Sequence, residues 1–223
     1  QTTVPVQQEA RKESSKSEEQ IAEKSASAIE TTKFEEKYIE TDLLKVVFTT
    51  KGARINKWIL KGYKDEKGEQ INLAGGLNIR TGYYDDLEFK GGDDIIVHEA
   101  GIVQTIAFSY LDKNIRIAKI FKFIKGSYKI DCSVKIENLA NKELTINNLI
   151  ISTGPGLGTP EKLEEFEELT ATTFIDDKVK KDGIKKVKEE IINNGNVTAL
   201  VLSKKYFVSA IILPKDVYGS GSF

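Results

Sequence analysis

The chain has 223 residues, enough for one large β domain or two small ones, and its 33 basic and 34 acidic residues give a formal net charge of -1. This balance argues against a nucleic-acid binder, which needs a basic surface. No apolar run reaches the roughly 18 residues that indicate a transmembrane helix, and no signal peptide pattern opens the chain. Methionine is absent, even at position 1, so we expect a processed or excised piece of a longer product.

Residues 1–36 are rich in Gln, Glu, Lys, Ser and Thr and contain few large apolar side chains. Such a segment cannot bury enough surface to offset the entropy of ordering it. A weak apolar stripe of Ile21, Ala22, Ala26 and Ile29 allows a transient helix. We predict a disordered or weakly helical tether, which either has no role of its own or holds the next domain away from a membrane.

From Tyr38 the sequence predicts short strands separated by turns. The turn at residues 65–68 places Gly68 where a positive φ is needed, and residues 193–196 (NNGN) also indicate a turn. Residues 176–190 predict an exposed hairpin or loop, and residues 160–168 a short helix. Because a long helical pattern is almost absent, we predict an all-β sandwich of many antiparallel strands. The predicted strands cover residues 43–50, 53–63, 71–73, 77–83, 93–98, 101–110, 115–124, 169–175, 197–202 and 206–213.

The clearest alternation lies at residues 128–137, where Tyr128, Ile130, Cys132, Val134 and Ile136 point to one face. This is the pattern of a strand with one solvent-exposed side. A polar turn at residues 138–142 leads to a second predicted strand at residues 144–151. Its apolar positions change phase at residues 147–148, which predicts a bulge. We interpret the pair as a hairpin at the centre of the sandwich.

Few side chains suit catalysis. His98 is the only histidine, which excludes a histidine-based zinc site or a two-histidine acid–base pair within one chain. The single cysteine, Cys132, is interpreted as a small buried hydrophobic residue. Asp85-Asp86 and Asp93-Asp94 lack the spacing of a calcium-binding loop and are interpreted as exposed turn residues. We predict no catalytic residue, no metal and no cofactor.

Three further features have a functional and a structural interpretation. Trp58, Tyr83 and Tyr84 could line a cleft for a sugar or a peptide, because aromatic faces stack on such ligands; packing in the core and at its rim is the favoured interpretation. The GPGLG segment at residues 154–158 lacks the ending and the helix of a phosphate loop, so it predicts a sharp exit from a strand. The charged runs at residues 161–168 and 178–188 are interpreted as solvated faces.

Three motifs occur in the order of a known family. Residues 49–55 (TTKGARI) are followed by Leu60 and Tyr63-Lys64-Asp65; the 154–158 turn and Lys205-Tyr206-Phe207 come later. Over roughly residues 38–215 these motifs resemble the large periplasmic domain of YidC-type membrane protein insertases. One departure is visible, since Val197-Thr198-Ala199 stands where members often carry a tryptophan. The residues that match the family motifs are Gly52, Ile55, Tyr63, Gly154, Pro155, Gly156, Gly158, Tyr206 and Phe207.

The resemblance implies a β-supersandwich, similar in shape to sugar-binding and aldose-epimerase-like folds. It also implies a tether at 1–36 after a first transmembrane segment, a periplasmic sandwich at 37–215 and a tail at 216–223 leading toward the membrane part. The parent would insert and fold inner-membrane proteins, alone or with the Sec translocon. Family members contact SecDF through this domain. SecDF or SecYEG components and nascent membrane proteins are therefore the expected partners of a non-catalytic domain on the periplasmic face of the inner membrane.

Two other functions stay open at this point. A carbohydrate-binding or aldose-epimerase-like sandwich would bind sugar at Trp58, Tyr83 or Tyr84. An epimerase also needs a positioned acid and base, which His98 alone does not supply. A structural cell-surface β domain would show neither sugar binding nor contact with Sec components.

Overall fold

The computed structural model describes residues 34–65, 67–73, 77–98, 101–145, 149–153, 169–183, 191–204, 206–214 and 219–222. These residues form strands and one short 3₁₀ helix, Gly82–Asp86, and none of their helical structure is long and apolar enough to cross a membrane. The prediction of an all-β chain with many antiparallel strands is confirmed. The strands are β1 (Glu36–Glu40), β2 (Leu44–Thr49), β3 (Arg54–Lys64), β4 (Gln70–Asn72), β5 (Leu77–Arg80), β6 (Lys90–Gly91), β7 (Ile96–His98), β8 (Val103–Leu111), β9 (Ile115–Ile124), β10 (Ile130–Asn138), β11 (Ile150–Thr153), β12 (Thr170–Ile175), β13 (Lys178–Gly183), β14 (Ile192–Gly195), β15 (Val197–Lys204), β16 (Phe207–Ile212) and β17 (Gly219–Ser222).

The first sheet contains β1, β2, β3 and β4 in chain order. Its central strand β2 is apolar along most of its length, and Val46 and Phe48 are completely buried. The chain reverses between β2 and β3 through Gly52 and Ala53, which both have positive φ angles of 65° and 49°. This turn is the TTKGARI motif, so the motif fixes the pairing of β2 with β3.

The second sheet has the order β10-β9-β8-β6, with β7 also paired to β8. Strand β9 alternates between one buried and one more exposed face, as expected for a half-buried strand. Ile115, Ile117, Phe121 and Phe123 fill the buried row. Lys119 occupies the middle position of the same row and is also fully buried.

The aromatic centre of the core joins the first two sheets. The ring of Phe48 from β2 lies 5.2 Å from Phe108 and 4.8 Å from Phe121, measured between ring centroids. Phe123 meets the same ring edge-on at 6.5 Å. Burial of each such side chain contributes roughly 1.5–3 kcal/mol, so these phenylalanines are a main source of cohesion between the sheets.

A third sheet is formed by the C-terminal strands in the order β13-β12-β15-β16. Asp176 and Asp177, both with positive φ, close the β12–β13 hairpin. A register shift between Phe174 and Ile175 interrupts the pairing of β12 with β15. Two further pairs, β11 with β5 and β14 with β17, complete the described strands.

The predicted central hairpin is wrong in its pairing. Strand β10 pairs with β9 along its whole length, after a tight turn in which Gly126 has a φ of 74°, and it forms an edge of its sheet. The following strand, β11, pairs instead with β5. The pairing of β10 with β9 has an unbroken register of nine residue pairs, from Ile130 with Phe123 to Asn138 with Ile115. The predicted bulge at residues 147–148 lies outside the described residues.

Other strand and turn predictions have mixed outcomes. The turn at residues 65–68 is confirmed, with Gly68 at a φ of 84° and the Asp65 carboxylate accepting hydrogen bonds from the backbone N–H groups of Lys67 and Glu69. The predicted turn at residues 193–196 is wrong, since Ile192–Gly195 is a strand paired with β17. The predicted tether, apart from its last residues, and the features at residues 154–158 and 160–168 lie outside the described residues.

Candidate functional site

The family motif at the β2–β3 turn requires a particular backbone conformation. Gly52 has a φ of 65°, which favours glycine, and a Cβ atom added there would overlap the backbone carbonyl oxygen of Asp85. Its N–H donates to the carbonyl oxygen of Leu87 at 2.8 Å. Ile55, which also matches the family motif, is buried in the core. At Gly52 the turn therefore lies in close contact with the backbone of the 3₁₀ helix.

A buried lysine side chain donates a hydrogen bond to this turn. Lys119 is fully buried, and its Nζ donates to the carbonyl oxygens of Gly52 at 2.7 Å and Ile79 at 2.6 Å. The same Nζ lies 5.0 Å from the ring centroid of Phe89. Burial lowers the pKa of Lys119 to about 8, with smaller and opposing effects from the charges of Asp85 and Arg54. Sequence reasoning missed this lysine, although a Lys within an inward apolar row is a visible signal.

The prediction that Asp85 is an exposed turn residue is wrong. Only 6% of Asp85 is exposed, because the 3₁₀ helix turns its carboxylate inward, where it accepts hydrogen bonds from the Thr81 N–H at 2.6 Å and Arg80 Nε at 3.2 Å. Asp86 is exposed as predicted and pairs with Arg54 at 2.8 Å. The Asp85 carboxylate therefore has a structural role, because it accepts hydrogen bonds from a backbone N–H group and from an arginine close to it in the chain.

The remaining carboxylates and the histidine do not form a site in the described part of the chain. Asp93 and Asp94 are exposed, as predicted, and Asp93 pairs with Lys37 at 2.5 Å. His98 is exposed at the end of β7. Within the described residues, no three His, Cys, Asp or Glu side chains are grouped so that they could hold a metal ion.

Cys132 differs from its prediction as a buried residue. It is exposed on β10, because β10 is an edge strand whose apolar face is only partly covered; Tyr128 and Ile136 on that face are also exposed. Desolvation, followed by the adjacent Asp131 charge, raises the pKa of Cys132 to about 12. The thiol therefore stays protonated at neutral pH, which disfavours a nucleophilic role.

The predicted aromatic cleft stays a prediction. Trp58, on β3, is half-buried against the core, and within the described residues its Nε1 is buried without a hydrogen-bond partner. Tyr84, in the 3₁₀ helix, also packs on the core, with its ring 5.7 Å from that of Tyr110. The side chain of Tyr83 lies outside the described residues. Two shallow depressions, of about 280 and 360 Å³, are lined by other residues of the described chain.

Two of the family motifs meet in space. Tyr63 of β3 lies edge-on to Phe207 of β16 at 5.6 Å and 6.4 Å from Tyr128, measured between ring centroids. We call these three residues the aromatic cluster. Tyr63 is 45% exposed and Tyr128 is 42% exposed, while Phe207 reaches the core. Desolvation and the neighbouring Tyr63 raise the pKa of Tyr128. Tyr206, the next motif residue, is 74% exposed.

Comparison with known proteins identifies the family. The family model described as the YidC periplasmic domain matches residues 37–221. The chain is similar to the membrane protein insertase YidC of Geobacter sp. (strain M21), with 24% identity over 193 residues, covering 79% of this chain and 36% of that protein. A YidC insertase of Citrifermentans bemidjiense (strain ATCC BAA-1014 / DSM 16622 / JCM 12645 / Bem) matches with the same identity and coverage. The chain thus spans about a third of the length of these relatives, and it belongs to the family of YidC periplasmic domains, which is not a family of enzymes.

Proposed function

We propose that this domain is the non-catalytic periplasmic part of an insertase that inserts and folds inner-membrane proteins, and that it contacts SecDF or SecYEG components or nascent membrane proteins. The observation that carries the proposal is the family match over residues 37–221. The names of the two relatives, both membrane protein insertases, support the activity of the parent. The insertion step itself is assigned to parts of the parent outside this chain.

The arrangement of the chain in the parent is part of the same proposal. Residues 1–36 would serve as a tether after a first transmembrane segment, residues 37–215 as the sandwich, and residues 216–223 as a tail leading toward the membrane part. The composition of the first segment supports a flexible tether. In this arrangement the sandwich would lie at the periplasmic face of the inner membrane.

The surface of the sandwich supports a role in binding other proteins. Exposed large apolar residues occur on several strands, and such groups mark interaction sites when they are contiguous. The aromatic cluster combines exposed Tyr63 and Tyr128 with a ring anchored in the core. Tyrosine side chains of this kind are common in the centres of interfaces, since they present a large rigid surface and a polar hydroxyl.

In vivo photocrosslinking in the full-length parent tests this function. A photoreactive amino acid replaces Tyr63 or Tyr128, and the matched control replaces Lys113, an exposed residue on the β8–β9 turn. We expect adducts with Sec components or nascent membrane proteins from the aromatic cluster and markedly fewer from position 113. Absence of both kinds of adduct from a scan across the exposed residues of the domain, in cells where the insertase is active, would refute the proposed contacts.

A further inference from the structure

Strand β16 differs from the other long edge strands because it carries no charge. Sheet edges offer unpaired backbone groups, and proteins protect them with charged side chains, prolines, bulges or very short strands. β16 (FVSAII) is six residues long, contains no proline and pairs with β15 without a register shift. The other described edge strands of five residues or more contain charged residues, namely Glu36, Lys37 and Glu40 in β1, Asp131, Lys135 and Glu137 in β10, and Lys178, Lys180, Lys181 and Asp182 in β13.

The register of β16 shows which backbone groups face outward. The N–H of Leu213 donates to the carbonyl oxygen of Thr198 at 2.9 Å, which makes these two residues a hydrogen-bonded pair next to the pair Ala199 and Ile212. Because hydrogen-bonded and non-hydrogen-bonded pairs alternate in an antiparallel ladder, every second residue of β16 turns its backbone groups away from β15. These residues are Val208, Ala210 and Ile212.

The side chains of the same three residues are exposed. Val208 is 61% exposed and Ile212 is 73% exposed, and Ala210 between them is also exposed. Ile212 is the last residue of an apolar row that crosses the sheet. The other members are Ala199, Phe174 and Val179, each the cross-strand partner of the one before it. The edge and the adjacent face are therefore both apolar.

We propose that β16 is a homotypic docking edge, which pairs antiparallel with β16 of a second copy of this chain and joins the two C-terminal sheets into one. With Ala210 opposite its own counterpart, each Val208 lies opposite an Ile212, so large side chains meet large ones on either side of a small centre. Each of these pairs exchanges both of its backbone hydrogen bonds.

The charges on the molecule do not oppose pairing with a second copy. The strand itself carries no charge that would repel its counterpart, and the net charge of -1 on the whole chain opposes association only weakly. One strand edge buries little surface, so we expect a weak dimer with a dissociation constant in the micromolar to millimolar range. This inference is independent of the proposed contacts with Sec components.

Sedimentation velocity of the full 223-residue chain tests the pairing. We expect the wild-type protein to associate as its concentration rises toward millimolar, and Val208→Lys to raise the dissociation constant by about tenfold or more, since a charge on the strand edge opposes pairing. Val179→Lys is the matched control, because Val179 is an exposed valine on the opposite edge of the same sheet; it is expected to leave association unchanged. Circular dichroism checks that both variants fold.

A cysteine cross-link tests the register and is independent of the effect of Val208→Lys. Ala210→Cys, made together with Cys132→Ser to remove the native thiol, is expected to form a disulfide-linked dimer on mild oxidation. The hydrogen-bonded pair would hold the two Cα atoms about 5.5 Å apart, which suits a disulfide. Val179→Cys in the same background is expected to stay monomeric. A wild-type chain that is monomeric at every concentration, or equal cross-linking at positions 179 and 210, would overturn the proposal.

Discussion

Gly52 lies where the β2–β3 turn contacts the 3₁₀ helix, and its positive φ favours glycine. In Gly52→Ala the positive φ of 65° would be strained, and the new methyl group would overlap the carbonyl oxygen of Asp85. The strain alone costs roughly 1–2 kcal/mol. We therefore expect the free energy of unfolding, measured by urea denaturation, to fall by about 2 kcal/mol or more.

Gly62→Ala is the control for this prediction. Gly62 lies in β3 and its φ is not positive. Apart from Gly62 and its two chain neighbours, no heavy atom of the described chain lies within 4 Å of the position its Cβ would take. We expect a change of less than about 0.5 kcal/mol, of either sign. Equal losses of stability in the two variants would show that the contact with the 3₁₀ helix is not what requires glycine at position 52.

Lys119 makes the stability of the domain depend on pH in the alkaline range. Its pKa falls from 10.5 to about 8 on folding. Between these values the unfolded chain keeps the proton and the folded chain releases it, so the free energy of unfolding rises with pH, by up to roughly 1.4 kcal/mol per pH unit. Below pH 8 both states are protonated and this contribution is constant.

Urea unfolding of the wild type and of Lys119→Met, compared at pH 7 and pH 10, measures this effect. Met replaces the buried apolar stem of the lysine but cannot titrate. The contributions of all other titrating groups to the pH dependence therefore cancel when the stabilities of the two proteins are subtracted. We expect the wild type to gain stability relative to Lys119→Met on going to pH 10. A difference that does not change with pH would mean that Lys119 keeps its ordinary pKa in the folded state.

At the scale of elements, the sequence predicts strands better than it predicts their partners. Strand β9 was found because burial imposes a period of two on its side chains, and β2 because it is a short apolar run bounded by a turn. The partner of β11 could not be found, because it pairs with β5, far away in the chain, and pairing at long range leaves no local pattern. The strand Ile192–Gly195 was missed because Asn and Gly are typical of turns, and only its pairing with β17 makes it extended.

The same distinction applies to candidate sites. Sequence reasoning identified Gly52 and Phe207 as motif residues, but only the structure explains them, through a backbone contact with Asp85 and a ring contact with Tyr63. Asp85 was assigned to an exposed turn because the pair Asp85-Asp86 lacks the spacing of a calcium-binding loop. Its inward direction depends on donors from Thr81 and Arg80 that the 3₁₀ helix brings together.

At the scale of the whole molecule, the contact between Tyr63 and Phe207 connects the first sheet to the C-terminal sheet. An edge-on aromatic pair contributes about 0.5–1.5 kcal/mol beyond the burial of its area. A double-mutant cycle with Tyr63→Leu and Phe207→Leu measures this coupling from the free energies of unfolding of four proteins. We expect a coupling energy within that range.

The matched cycle combines Tyr63→Leu with Val179→Ala, on the opposite edge of the C-terminal sheet. Distant substitutions without a shared partner add within roughly 0.3–0.5 kcal/mol, so this coupling is expected to be near zero. If both cycles give zero, the contact between Tyr63 and Phe207 adds no measurable stability to the packing of the first sheet on the C-terminal sheet. If only the first cycle gives a coupling, Tyr63 and Phe207, one from each of two family motifs, act together to hold the first sheet against the C-terminal sheet.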